Sequence, residues 1–297
     1  MKKIIITGGA GFVGSNLIEF FLINTSYKII SIDNYSSGSK KNHIKNKRVK
    51  YINEDTRNIE KVLKKEIKSI NSLFHFGEFS RIYQSFPQMN ECIESNSIGT
   101  NAVFNFCLKN KIKLVYSATS ASLGNGGNDK NLSPYAFTKS KNLELLENLK
   151  KWFNFKYEII YFYNVYGPRQ ICLGKMATVI GIFEKCYKKK IPLPVVKPGT
   201  QSRRFTHISD TITTCYEAWK ADRCAHYSIS HKKSYSVKEV AKMFGNNIVF
   251  LQARPGERYA SALTNMSLNN KVIKRYGKIN LKDYITSFIN SVENKKL

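Results

Sequence analysis

One short segment, Thr7-Gly8-Gly9-Ala10-Gly11-Phe12-Val13-Gly14, constrains the fold more than any other part of the chain. It follows a β-branched run, Lys3-Ile4-Ile5-Ile6-Thr7, that reads as a buried strand. It opens onto Gly14 to Leu22, whose apolar spacing suits a helix. Glycine at 8 permits a tight turn, at 11 a close backbone approach to a pyrophosphate, and at 14 close packing of helix on strand. The N–H groups at the helix start, through Phe12 and Val13, together with the helix dipole, then attract phosphates. A glycine pattern alone is weak, and a plain glycine-rich turn is the other reading. The strand before, the helix after and an acid at the end of the next strand supply the context that a dinucleotide site needs. That acid is Asp33, 19 residues beyond Gly14. With Asn34 beside it, its carboxylate is placed to accept hydrogen bonds from an adenosine ribose and would repel a 2′-phosphate. NAD is therefore expected rather than NADP.

The rest of the first half keeps the same rhythm. Lys28–Asp33, Val49–Ile52, Ser72–Phe76, Lys113–Ser117 and Tyr157–Phe162 read as strands. Asn96–Leu108 and Ala136–Lys151 read as helices. Alternating strands and helices imply a parallel sheet covered on both faces. The expected fold is thus α/β, a Rossmann-type doubly wound parallel sheet with a smaller, irregular C-terminal lobe. Past Gly167-Pro168 the rhythm weakens, and Ile191-Pro192-Leu193-Pro194 suits neither a central strand nor a helix interior. Residues 1–168 are assigned to the dinucleotide-binding domain, with 201–222 returning to it. Residues 169–200 and 223–297 are assigned to the substrate lobe.

Composition excludes several classes. At 297 residues, with 42% hydrophobic and 23% charged side chains, the chain has ample material for a core. No apolar run approaches the roughly 18 residues of a membrane span. The apolar run at the N-terminus breaks at Gly8-Gly9, too early for a signal peptide, so a cytoplasmic protein is expected. The six cysteines include no CxxC pair, so neither a metal site nor a disulfide framework is expected. The net charge of +27 is unusual. Arginine supplies only ten of the 48 basic residues, and the lysines are scattered rather than blocked. That pattern fits biased base composition better than a nucleic-acid surface, though the field would favour a polyanionic small ligand.

Ser133-Pro134-Tyr135-Ala136-Phe137-Thr138-Lys139 contains Tyr-x-x-x-Lys. On a helix the two share a face. A lysine beside a phenol favours phenolate, which makes Tyr135 a candidate general acid/base near neutral pH. The spacing occurs by chance in a chain rich in both residues. Its position after the fifth strand, at the edge where such sheets bind ligands, is what gives it weight.

Together, TGGAGFVGS, Asp33, the SATSASLG segment, YAFTK and Asn164-Val165-Tyr166-Gly167-Pro168-Arg169-Gln170 resemble the extended short-chain dehydrogenase/reductases, and within them the nucleotide-sugar epimerase/dehydratase branch. The resemblance runs from Lys2 to about Asn265. It implies that Tyr135 removes a proton from a sugar hydroxyl while NAD accepts the hydride. Lys139 would hold the nicotinamide ribose, and Thr119 would hydrogen-bond the reacting oxygen. Asp55 and Thr56 correspond to the adenine segment, and Phe76 and Gly77 to the strand edge along the cofactor. Asn164, Arg203, Arg254 and Glu257 would grip the diphosphate and ribose of the nucleotide sugar. Each has a plainer reading: a strand-end hydroxyl for Thr119, a turn cap for Asn164, solvated charges for the arginines. His75 reads as a packed strand-edge residue rather than a catalyst. The resemblance also implies a homodimer formed through the helices at about 96–109 and 135–151, and polysaccharide synthesis as a common setting. Neither membrane nor nucleic acid is an expected partner.

Departures from the family pattern shape the expected reaction. Thr119 is followed by Ser120-Ala121, without the Asp-Glu of the dehydratases, so water elimination is not expected. Gly77-Glu78-Phe79-Ser80-Arg81 carries charges where the family usually has small residues. Glu78 and Arg81 either face the sugar or form a structural ion pair. Gly124 to Asn128 reads as a short flexible loop, and Arg204 would add positive charge near the diphosphate. The expected activity is NAD-dependent nucleotide-sugar epimerisation at C4 through a transient 4-keto sugar. The alternatives are a nucleotide-sugar C4 dehydrogenase or 4-ketoreductase, and, in another class, a non-catalytic NAD- or RNA-binding protein on the same fold.

Overall fold

The structure is a computed structural model that describes residues 2–256 and 272–294. The strands are β1 (Lys3–Thr7), β2 (Lys28–Asp33), β3 (Val49–Asn53), β4 (Ile70–His75), β5 (Lys113–Thr119), β6 (Tyr157–Phe162), β7 (Val165–Tyr166), β8 (Leu193–Val196), β9 (Ser202–Arg204), β10 (Thr206–His207), β11 (His226–Ser230), β12 (Ser234–Ser236), β13 (Ile248–Leu251) and β14 (Val272–Tyr276). The helices are α1 (Phe12–Asn24), α2 (Ile59–Leu63), α3 (Met89–Ile93), α4 (Thr100–Lys109), α5 (Pro134–Phe153), α6 (Val179–Lys189), α7 (Ile208–Ala221), α8 (Val237–Phe244) and α9 (Leu281–Glu293).

Eight strands form one parallel sheet in the order β14-β11-β6-β5-β4-β1-β2-β3. The connection reverses direction between β1 and β4, which creates a crevice at the carboxyl ends of those strands. Thr7 lies in register with Ile32 on one side and His75 on the other, so the ends of β1, β2 and β4 open at one level. The isoleucine run of β1 feeds both faces by the two-residue period of a strand. Ile5 joins the cluster under α4 and α5, with Phe104, Tyr116 and Leu146. Ile4 and Ile6 join the cluster under α1 and α7, with Leu17, Phe21 and Ile212. Trp219 on α7 stacks edge-on against Phe21 of α1, and its indole N–H donates to Ser72 Oγ of β4. A third cluster, with Phe183, Val195, Phe205, Val240, Phe244 and Leu281, forms the core of the second lobe.

Three features depart from the sequence reading. His226–Ser230 and Val272–Tyr276, assigned to the second lobe, instead extend the main sheet beyond β6. Pairing between distant segments leaves no local pattern to read. The helix expected from Asn96 is preceded by a wider π-helical turn, Glu94–Gly99. This turn aims Ser95 and Asn96 at the loop after β4, where both side chains accept the Phe79 N–H and Asn96 donates back to the Phe79 carbonyl. The backbone of Ser120–Asn131, expected as a flexible loop at its centre, winds as consecutive 3₁₀ turns.

Candidate functional site

A cleft of about 520 Å³ runs from the glycine turn, across the ends of β4 and β5, to the second lobe. Apart from Arg204, every sequence-predicted site residue that the structure describes lines it. Glu257 lies outside the described residues.

The dinucleotide end is built by close approach. Gly8 has φ +71°, and a Cβ there would sit 2.7 Å from the Phe76 carbonyl. A Cβ on Gly14 would stand 2.2 Å from the Gly8 oxygen, so only hydrogen lets α1 seat on the turn. Gly11 caps α1 with no side chain bonded to the helix start. An anion-seeking helix end therefore faces the cleft beside Phe12 and Val13. Asp33 is held by backbone donors, Ala10 N–H at 2.9 Å and Tyr35 N–H at 2.8 Å, and burial lifts its carboxyl above the usual range. A Cβ on Gly38 would lie 2.8 Å from Asp33 Oδ1, so the loop closes tightly over this carboxylate. Asn34 donates to Asp55 Oδ2 at 2.9 Å, and Asp55 caps the turn that buries Thr56. These residues fit NAD: a glycine cradle with an uncapped helix end for the pyrophosphate, and a fixed carboxylate for the ribose. Asp33→Ser is expected to weaken NAD binding about tenfold, the loss of a charge-assisted bidentate contact, and to narrow the preference over NADP. Titration with both dinucleotides checks it.

Next comes a buried polar chain that the sequence reading missed. The Thr7 hydroxyl lies 2.7 Å from His75 Nδ1 and accepts the N–H groups of Phe76 and Gly77, both at 3.1 Å. His75 Nε2 lies 2.9 Å from Thr100 Oγ1, which donates to Glu78 Oε1 at 2.9 Å. A carboxylate only accepts, so the Thr100 proton goes to Glu78 and His75 must donate from Nε2. Nδ1 is then the acceptor for Thr7, and the ring is the neutral tautomer. Burial agrees, pushing the His75 imidazole down to about 4 from an ordinary 6.5. Because the folded state refuses a proton that the unfolded chain takes, stability falls as pH drops from 6.5 towards 4. The loss amounts to about 3 kcal/mol. Thermal unfolding across that window should show it, and His75→Gln should flatten the slope.

The Tyr135–Lys139 part of the cleft sits on α5. Ser133 caps this helix through the Ala136 N–H at 3.1 Å, and Pro134 takes its first position. Tyr135 therefore falls in the first turn, with its own N–H donating to Ser85 Oγ at 3.2 Å. Lys139 follows one turn later, almost wholly buried. Its ammonium donates to the Glu78 carboxylate and the Ser117 carbonyl, and meets Tyr116 Oη at 3.3 Å. Burial draws the Lys139 ammonium below the ordinary lysine range, and Glu78 opposes that fall. Asn142, three residues further along the same face, donates to Tyr116 Oη at 3.1 Å and to the Asn96 carbonyl at 2.7 Å. The spacing Tyr135, Lys139, Asn142 was the available signal for it. Thr119 Oγ1 accepts the Ala121 N–H at 3.2 Å, which keeps its own proton available to a ligand oxygen.

Glu78 is thus an ion-pair partner of Lys139 at the cleft wall, with 3% of its side chain exposed. Arg81 spans the two lobes, its guanidinium donating through Nε at 3.0 Å and Nη2 at 2.6 Å to the Met176 carbonyl. Asn164, at φ +35°, donates to the Arg204 carbonyl at 2.9 Å. Arg203 lines the cleft, while Arg204, the next residue of β9, interacts with Tyr276 and Tyr163. The extra charge foreseen near the diphosphate therefore points elsewhere, because successive strand side chains alternate. Arg254 lies over the Tyr83 ring at 5.0 Å.

The family model described as NAD dependent epimerase/dehydratase family matches residues 4–230. The chain belongs to this family. A Methanocaldococcus jannaschii protein, provisionally named a UDP-glucose 4-epimerase, is 28% identical, with 98% of each chain covered. The UDP-N-acetyl-alpha-D-glucosaminuronate decarboxylase of Bacillus cytotoxicus is 27% identical over 81% of this chain and 78% of its own. Among solved structures, the UDP-glucuronic acid 4-epimerase of Bacillus cereus, in complex with UDP-glucuronic acid and NAD, shares the fold with a TM-score of 0.83. It is 24% identical, with 99% of each chain covered. An NAD-dependent enzyme of this family accounts for the glycine cradle, Asp33 and the Tyr135–Lys139 face lying in one cleft.

Proposed function

We propose that the chain is a nucleotide-sugar epimerase that inverts C4 through a transient 4-keto sugar. The observation that carries this reading is the placement of acids along the cleft. Among the described residues the lining carboxylates are Asp33, Glu54, Asp55 and Glu78. The first three stand at the adenosine end, and Glu78 is committed to Lys139. No acid among them is placed to drive elimination of water, and Thr119 is followed by Ser120-Ala121. What remains is a phenol, a buried ammonium and a hydroxyl, which suffices for reversible oxidation of a sugar alcohol.

NAD, when bound, supplies the acceptor and donor of the sugar's hydrogen. Tyr135 takes the C4 hydroxyl proton, Thr119 steadies that oxygen, and Lys139 lowers the cost of the phenolate. After the 4-keto sugar turns its other face, Tyr135 returns the proton. In this reading residues 1–168 and 201–222 hold the dinucleotide. The lobe around α6, α8 and α9 closes over the nucleotide, with Arg203 and Arg254 at its diphosphate. A homodimer accompanies the reading: Ile93, Ile98, Phe137, Trp152 and Phe153, on or beside the helices concerned, are exposed large apolar residues. No helix among the described residues is long and apolar enough to cross a membrane.

Purified protein incubated with UDP-, dTDP-, GDP- and CDP-sugars, with products read by NMR, tests the assignment. Inverted C4 without added cofactor consumption supports it. Steady release of NADH would instead identify a C4 dehydrogenase. Sedimentation analysis tests the dimer.

A further inference from the structure

We propose that Glu78 is a positioning residue for the reaction, setting through its ion pair with Lys139 the charge that Tyr135 experiences. This inference rests on the functional reading above and adds a residue to it. The carboxylate is built into place from three sides. Thr100 of α4 donates to Oε1 at 2.9 Å, Tyr116 of β5 at 3.0 Å and Asn142 of α5 at 3.3 Å, while Oε2 accepts a hydrogen bond from the Lys139 ammonium. A side chain so fully bonded cannot swing out to a sugar. It holds a fixed negative charge beside the ammonium that shares a helix face with Tyr135.

The groups around the pair do not compete with it near neutral pH. His75, at the end of β4, is neutral down to about 4. Cys92 of α3 is pushed up to about 11, chiefly by burial. Tyr116 is buried and pushed well above the phenol range. Arg81 faces Tyr135 from the other wall and stays cationic. Lys139 and Tyr135 are left as the pair whose charge can change. A negative charge raises the proton affinity of an acid beside it, and Glu78 opposes the fall that burial imposes on Lys139; on the proposal the same charge bears on Tyr135.

Glu78→Gln removes the charge and keeps the shape. Both limbs of the kcat/KM profile against pH should move down by about one unit. The pH above which NAD binding weakens, followed by the quenching of intrinsic fluorescence, should fall with the alkaline limb. Thr100→Val, which removes hydrogen bonds to Glu78 and His75 but no charge, should leave the limbs in place. Limbs that stay put or move up in Glu78→Gln, or that move equally in Thr100→Val, overturn the proposal. If Glu78→Gln does not fold, Glu78→Asp, which draws the carboxylate back from Lys139, is read the same way with a smaller shift. If the wild type converts no nucleotide sugar, the functional reading fails, and the NAD titration alone decides the role of Glu78.

Discussion

Tyr135→Phe is expected to cut kcat by about a thousandfold or more while leaving NAD affinity essentially unchanged. The substitution removes one oxygen from a ring that stays packed with Ala121, Ala136 and Cys92, so the helix and the cleft keep their shape. In the proposed function the lost group is the one that moves the proton, and such groups typically contribute 10²- to 10⁴-fold. Lys139 cannot stand in, because its ammonium protons are directed to Glu78, the Ser117 carbonyl and Tyr116. Stopped-flow turnover with a saturating sugar nucleotide, alongside an NAD titration, separates the two effects. A variant turning over near the wild-type rate would remove Tyr135 from the chemistry.

Gly14→Ala should be among the most disruptive single-methyl changes at the described glycines. The added carbon would meet the Gly8 oxygen at 2.2 Å and the backbone of Gly9 at 2.8 Å, contacts that no rotamer can relieve. α1 must therefore lift from the turn, at a cost of about 3 kcal/mol or more. That corresponds to a fall in Tm of roughly 5 °C in a chain of this size. A helix end displaced by even about 1 Å no longer aims its N–H groups at the pyrophosphate, and NAD affinity should drop about a hundredfold. Gly11→Ala supplies the contrast. Its Cβ meets only the Gly8 backbone, at 3.1 Å or more, so the fold should tolerate it. Calorimetry of the two variants side by side decides whether packing, rather than turn flexibility alone, demands glycine at 14.

What could be read from the sequence was whatever a short span encodes. The glycine turn, Asp33 at the end of the next strand, and the Tyr135–Lys139 spacing each depend on residues within one supersecondary unit. All three meet in the cleft. The alternating strands and helices likewise announced a parallel sheet, because buried strands need long apolar runs. What stayed hidden depends on partners far apart in the chain. β11 and β14 join the sheet through pairings that no local pattern marks. Glu78 could be read as facing either the sugar or a counterion, and only the fold brings Lys139, 61 residues away, against it. Thr7, Thr100 and Tyr116 are ordinary residues in ordinary elements, and their role emerges only when the chain of hydrogen bonds is traced.

The Arg81 strap has a consequence for how such a pocket changes its preference. Its fork grips the main-chain oxygen of Met176, not a side chain. Any residue type at 176 that keeps the backbone path leaves that seam intact. The wall of the cleft begins one residue on, at Ala177, where bulk and polarity can change without removing the acceptor that joins the halves. A scaffold tied in this way can be retuned one position at a time while remaining closed.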